Sequence, residues 1–303
     1  MSQYEFIQDN SELFSVTDMC KCFNIAPSSY YLWCNGPISD RAQEDEIFKE
    51  QISEIYKKAD GRYGHRPIYY HLLEDGVNCG RGRTLRLMKD LNIEGEQKKR
   101  FKPICTQSNH DFGYHPNLLK QLGSPQKCNQ VWATDTTFLK TKEGWCYLAT
   151  VMDLYSRRIV GWSVSPHNDT ELTCQALEAA VMTRGGKIPP GLIHHSDRGS
   201  TYASDRYASL LSKYKIKPSM SAKGNCYDNA AMESFYGRYK TCSHLPVFSR
   251  IEDARTHAFE YIEVFYNRFR KHSSLGYKNP VQFEEISNPL TAETSLPACI
   301  QHN

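Results

Sequence analysis

Val131-Trp132-Ala133-Thr134-Asp135-Thr136-Thr137-Phe138-Leu139 is the stretch on which the fold turns. It is rich in β-branched and aromatic residues, as strands are. Side chains alternate along a strand, so Val131, Ala133, Asp135 and Thr137 share a face. A carboxylate in mid-strand is costly unless it is paired or holds a cation. A salt bridge and a metal would satisfy Asp135 equally well.

The strand pattern continues downstream. Residues 145–152 and 158–165 read as two more strands, with turns at Glu143-Gly144 and Ser156-Arg157. Then come a helix over 170–183, a strand over 191–196, a helix over 204–213, a strand over 216–221 and a helix over 229–241. Three antiparallel strands followed by alternating helices and strands predict an α/β fold. It is a mixed five-stranded sheet with flanking helices, and it resembles ribonuclease H. A last helix is expected over 251–269, with Ile251, Ala254, Ala258, Ile262 and Phe265 on one face.

Upstream the periodicity is helical. Val16, Met19, Cys20 and Phe23 follow i, i+3, i+4, i+7 behind a cap at Ser15 or Thr17. After a break at residues 24–29, Tyr30-Tyr31-Leu32-Trp33 starts a second helix, the outline of a helix-turn-helix. A longer helix is expected over 45–58. Two more, from Ile68 to near Gly76 and over 81–91, make a second and more basic candidate. An all-α helix-turn-helix region therefore precedes the α/β core. Residues 97–130, with Pro103, Pro116 and Pro125, read as a linker. The expected divisions are 1–60, 61–124, 125–290 and a tail over 291–303.

A net charge of +3 is too small to diagnose a nucleic-acid binder. Its distribution says more. Residues 1–60 hold 5 basic and 11 acidic groups, while residues 61–125 hold 11 basic and 6 acidic groups. The second stretch contains Arg81, Arg83, Arg86, Lys89 and the run Lys98-Lys99-Arg100-Phe101-Lys102, a patch suited to phosphate. A solvated helix face would look the same on charge alone.

Two more carboxylates match Asp135. Asp197 ends the strand Gly191-Leu192-Ile193-His194-His195-Ser196, where ligand sites of α/β sheets gather. Glu233 lies on the helix after residue 229 and shares a face with Gly237 and Lys240 at i+4 and i+7. A turn aspartate and a surface glutamate are the ordinary readings of each alone. Together the three acids suit phosphoryl transfer, in which two hard cations about 3.5–4 Å apart clamp the attacking and leaving oxygens. Asp153 is the rival carboxylate, with a hairpin role as the simpler reading. His195, two residues before Asp197, is placed either to face the site or to pack.

Other classes recede. No apolar run approaches the roughly 20 residues of a membrane span, so no membrane role is expected. The N-terminus lacks a basic and then apolar signal pattern. Eleven irregularly spaced cysteines then read as reduced thiols of a cytoplasmic protein. Cys20 and Cys22, His65 and His71, and His110 and His115 lack the Cys-x2-Cys partner that zinc sites use.

Four stretches resemble the transposases of bacterial insertion sequences in the insertion-sequence-three family, of the OrfB type, and the wider retroviral-integrase core. They are Asn129 to Asp135, His195 to Ser200, Ser219-Met220-Ser221-Ala222-Lys223-Gly224-Asn225-Cys226-Tyr227-Asp228-Asn229-Ala230-Ala231-Met232-Glu233-Ser234-Phe235, and Tyr266-Asn267-Arg268-Phe269-Arg270-Lys271-His272-Ser273-Ser274-Leu275-Gly276-Tyr277-Lys278-Asn279-Pro280. The third is the most specific, and the likeness covers about residues 14–283. One departure is Thr201, where glutamine is common before the tyrosine, here Tyr202.

The resemblance implies Mg²⁺ or Mn²⁺, as two ions, on Asp135, Asp197 and Glu233. It implies cleavage at element ends by water and then attack of the new 3′-hydroxyl on target DNA. Lys240 and the basic motif with Arg270, Lys271 and His272 are expected to contact DNA. A homo-oligomer is expected in the synaptic complex, with an upstream-frame partner or frameshift fusion supplying any zipper. A ribonuclease H-like nuclease that does not join ends, and a helix-turn-helix regulator with a dead core, are the alternatives. The intact triad argues against the regulator.

Overall fold

The computed structural model describes residues 2–35, 39–96, 115–221, 230–242, 245 and 247–287. Three short helices come first, α1 (Gln3–Asp9), α2 (Val16–Cys22) and α3 (Pro27–Asn35). They bury Ile7, Met19, Cys20 and Tyr30 in a small core of their own. Pro27 opens α3 rather than breaking the chain, since the first helical residue has no use for an N–H.

Next come α4 (Asp40–Lys58), α5 (His65–Glu74) and α6 (Arg81–Asp90). Ile52, Ile55, Ala59, Ile68, Leu72, Leu87 and Met88 interlock into one buried cluster. The expected division at residue 60 is therefore corrected. It falls between helices that share a core, and α4 belongs with α5 and α6.

After α7 (Leu119–Leu122) the sheet begins, with β1 (Val131–Thr141), β2 (Gly144–Asp153) and β3 (Ile159–Ser165). Then follow α8 (Thr170–Thr183), β4 (Ile193–Ser196), α9 (Asp205–Lys213), β5 (Lys217–Met220) and α10 (Ala230–Cys242). The strand order is β3-β2-β1-β4-β5, with β1–β2 and β2–β3 antiparallel and β4 parallel to both β1 and β5. This is the expected mixed five-stranded, ribonuclease H-like sheet.

Two apolar layers flank it. Trp132, Ala149, Val151 and Val160 meet α8 and α9 on one face. Gly161 lets α8 close on β3, because a Cβ there would stand 2.3 Å from the Ala176 carbonyl oxygen. On the other face Ala133, Leu148 and Met152 meet α10 and the C-terminal helices, in the same cluster as α4–α6. The helical unit thus packs continuously onto the core.

The expected single last helix is α11 (Ile251–Phe259) followed by a π-helical turn over Glu260–Tyr266. The apolar spacing is blind to one extra residue per turn. A final helix, α12 (Pro280–Ser287), has no counterpart in the sequence reading. No helix among the described residues is long and apolar enough to cross a membrane.

Candidate active site

Parallel register places the two aspartates. Ala133 of β1 faces His195 of β4. Two residues further on, Asp135 stands on β1 and Asp197 just past the end of β4. The Asp135 carboxylate accepts the Thr136 N–H at 2.8 Å, and the Asp197 carboxylate accepts the Gly199 N–H at 2.9 Å. Gly199 sits tight against that acid, since a Cβ would come 3.0 Å from the Asp197 Oδ1. Tyr202 ties the turn back to β1, its hydroxyl 3.0 Å from Thr136 Oγ1 and 3.4 Å from Thr134 Oγ1.

Glu233 stands in the exposed first turn of α10, where the helix dipole favours a carboxylate. Its partners in charge are close. Asp135 is pushed up to about 7, first by burial, then by Asp197, with Glu233 adding to the rise and Lys240 opposing it. Burial holds the Lys240 ammonium below its ordinary value, and Asp135 pulls it back up. That ammonium lies 4.1 Å from the centre of the Phe138 ring. Asp197, Glu233 and Lys240 thus all act on the charge of Asp135.

Asp153 is elsewhere. It pairs in register with Trp132, on the opposite face of the sheet from Asp135. It accepts N–H bonds from Asn129 at 2.6 Å, Tyr155 at 2.9 Å and Ser156 at 3.3 Å, which close the β2–β3 hairpin. This is the hairpin role, the simpler reading of Asp153, and it leaves the acid outside the candidate site. Cys128, Asp153 and Glu284 are the only group among the described residues with three potential ligand atoms within 4.8 Å of one another. They do not suit a metal. Glu284 already accepts from Arg158 at 2.7 Å and Arg184 at 2.5 Å. The Cys128 thiol is pushed up to about 12 by burial and then by the two acids.

His195 shares the Asp135 face, but Ser219 and Ser221 hydroxyls occupy its ring nitrogens at 2.9 and 3.0 Å. It bridges β4 to β5 and leaves no nitrogen for solvent.

The expected DNA contacts divide. Arg83 is bound to Asp45, Glu44 and the Arg41 carbonyl, and Arg86 to Asp45 and Asp90. These two tie α6 to α4, which helical spacing alone does not show, because it finds a face and not a partner 38 residues away in sequence. Arg81 is exposed and makes no ion pair among the described residues. Lys98, Lys99 and Arg100 lie outside the described residues.

Lys271 is turned inward. Its buried ammonium meets Glu74 and Gln282, and its N–H donates to the Tyr63 hydroxyl at 3.1 Å. His272 is half-buried against Tyr266, 4.8 Å between ring centres. Asn267 of the same motif is structural too. The Asn267 amide pairs with both backbone groups of Ile159, at 3.0 and 2.9 Å. Sequence reasoning missed Tyr236, whose hydroxyl donates to the Asp135 carbonyl oxygen at 2.7 Å. Its place one turn after Glu233 was the available signal.

Comparison with known proteins supplies the family. Models of an integrase core domain match residues 125–226 and 214–280, and an HTH-like domain matches residues 42–101. Transposase InsF for insertion sequence IS3A of Escherichia coli (strain K12) is 36% identical over 285 residues, covering 93% of this chain and 98% of InsF. The chain belongs to the IS3 family of insertion-sequence transposases. Another relative is the insertion element IS600 uncharacterized 31 kDa protein of Shigella sonnei, 42% identical over 276 residues, 90% of this chain and 100% of that one. The HTLV-2 integrase catalytic core domain in complex with magnesium is similar in structure, at 19% identity and a TM-score of 0.40 over 52% of this chain and 97% of that one. Within the IS3 transposase frame, the HTH-like match spans α4 to α6 and extends past them, so it covers the unit whose core crosses residue 60.

Proposed function

We propose that this transposase cuts DNA strands at the ends of its insertion sequence and joins them to a target, using Asp135, Asp197 and Glu233 with divalent metal. The observation that supports the triad is the crowding of like charge at Asp135, raised to about 7 by burial and by both other acids. Lys240 offsets only part of it.

The donor set fits the metal. Hard divalent cations prefer oxygen, and three carboxylates supply it. Bound there, two Mg²⁺ or Mn²⁺ ions would polarise the phosphodiester and neutralise charge on the attacking and leaving oxygens. The chain's own residues do the positioning. Backbone N–H groups of Thr136 and Gly199 each hold one aspartate oxygen, which orients the carboxylates without added strain. Glu233 comes from an exposed helical turn and can adjust its reach. Lys240 faces the same field and suits the DNA phosphate beside the reacting one.

The helical unit reads as the DNA-docking part, with Arg81 presented at the start of α6. Bringing two element ends together calls for a homo-oligomer, and an upstream-frame partner fits as the source of any zipper.

Purified Asp135→Asn decides the reading, assayed with paired element ends and a target. Cleavage and joining fall on the order of a thousandfold, since metal clamping contributes several kcal/mol. Binding to the ends persists. Normal joining by the variant sinks the assignment, and cleavage without joined product by the wild type favours a plain nuclease.

A further inference from the structure

Three arginines meet beside α10. Arg157 comes from the β2–β3 hairpin, Arg238 from α10 itself and Arg270 from the chain after the π-helical turn. They line a hollow of about 310 Å³ together with Ser234, His272 and Ser274, and no carboxylate of the described residues lines it. None of the three makes an ion pair among the described residues. Elsewhere the protein neutralises its inner arginines, as Arg158 and Arg184 show with Glu284.

The polar groups here are left wanting. Arg270 Nε and His272 Nε2 are buried without a hydrogen-bond partner; Arg158 and Arg184 share that at Nε, but their guanidinium groups are paired with Glu284. Burial holds His272 well below its ordinary value, and Arg270, Arg157 and Arg238 push it further the same way. The same three guanidinium groups act on Tyr266. All three charges therefore surround one spot. Arg157 reaches it from a left-handed backbone, φ 62°, an uncommon conformation for a residue with a side chain.

A neighbouring groove of about 730 Å³ shares Ser234, Arg238, Arg270, His272 and Ser274 and adds Arg62, Arg66 and Lys89 with Glu94 and Glu96 of the helical unit. It is therefore longer than a single small anion. Ser234 follows Glu233 directly, so a strand leaving the carboxylates along α10 passes over this hollow.

We propose that Arg157, Arg238 and Arg270 form a binding pocket for a backbone phosphate of the DNA strand that leaves the carboxylate site along α10. This rests on the transposase reading. Guanidinium forks match phosphate oxygens two at a time, and serine hydroxyls add donors.

The test is the salt dependence of binding to a short duplex without element sequence, with metal withheld. Full-length Arg157→Asn and Arg238→Gln are compared with the wild type. Asparagine tolerates the left-handed backbone, so Arg157→Asn keeps the hairpin. Each variant is expected to bind severalfold more weakly at low salt. Each should flatten the slope of log affinity against log salt by about 0.9, one phosphate contact. Inorganic phosphate should raise the melting temperature of the wild type more than that of either variant. Unchanged slope and affinity in both folded variants overturn the pocket while wild-type cleavage and joining still stand. A wild type that neither binds duplex nor joins ends overturns the transposase reading instead.

Discussion

The Tyr236 hydroxyl lies 2.7 Å from the carbonyl oxygen of Asp135, 101 residues away in sequence. The Leu148 carbonyl is 3.1 Å away, and the Thr150 hydroxyl is 2.9 Å away. Tyr236 stands one turn beyond Glu233 on α10. One buried phenol therefore sets the helix of the glutamate against the strand of the aspartate.

Tyr236→Phe should cost about 1–2 kcal/mol in denaturant unfolding, the range for a lost buried hydrogen bond. Strand transfer should fall further than that loss explains, because α10 is no longer tied at the Asp135 level. An unchanged transfer rate in a folded variant removes the positioning role.

Gly199→Ala should slow strand cleavage about tenfold while unfolding changes little. Its methyl would meet Asp197 Oδ1 at 3.0 Å, so the carboxylate has to give by a few tenths of an ångström. Displacements of that order are felt in catalysis. Wild-type turnover would mean that Asp197 needs no such exact seat.

Glu284→Gln should destabilise the fold by about 3 kcal/mol, because Arg158 and Arg184 lose a buried carboxylate. The pH dependence follows. Glu284 is held down to about 2 despite burial, chiefly by hydrogen bonds and charge from Arg184, with Arg158 adding to it. Its folded value lies below the ordinary 4.5, so its stabilisation is present above about 4.5 and is lost as pH falls toward 2. Asp153 runs the other way. Burial lifts it to about 6, so its contribution is greatest in acid and fades as pH rises through 6. Unfolding measured from pH 5 to 2 should show a flatter limb in the variant. An equal limb in both proteins assigns acid lability elsewhere.

Much of the core could be read in advance from local signals. Alternation marked β1 to β3, and the expected helix at 170–183 is α8 to the residue. The strand parity of Asp135 and the strand-end place of Asp197 needed only periods of two and a turn. The helical faces of Arg83 and Arg86 were also legible, but not their partners on α4. The motif at 266–280 read as basic, yet Asn267 and Lys271 act inside the fold. Nothing local told a ladder-clamping asparagine from a DNA-facing one.

By itself the sequence determined the order of elements from β1 to α10 and the family, because each depends on neighbours a few residues apart. Only the tertiary structure decided which charges are spent and which are free. Asp153 and Lys271 find buried partners across the chain, while Asp135 meets other acids and Arg157, Arg238 and Arg270 meet no acid among the described residues. Those outcomes depend on contacts a hundred residues apart, where burial makes an unpaired charge expensive and so reveals what it waits for.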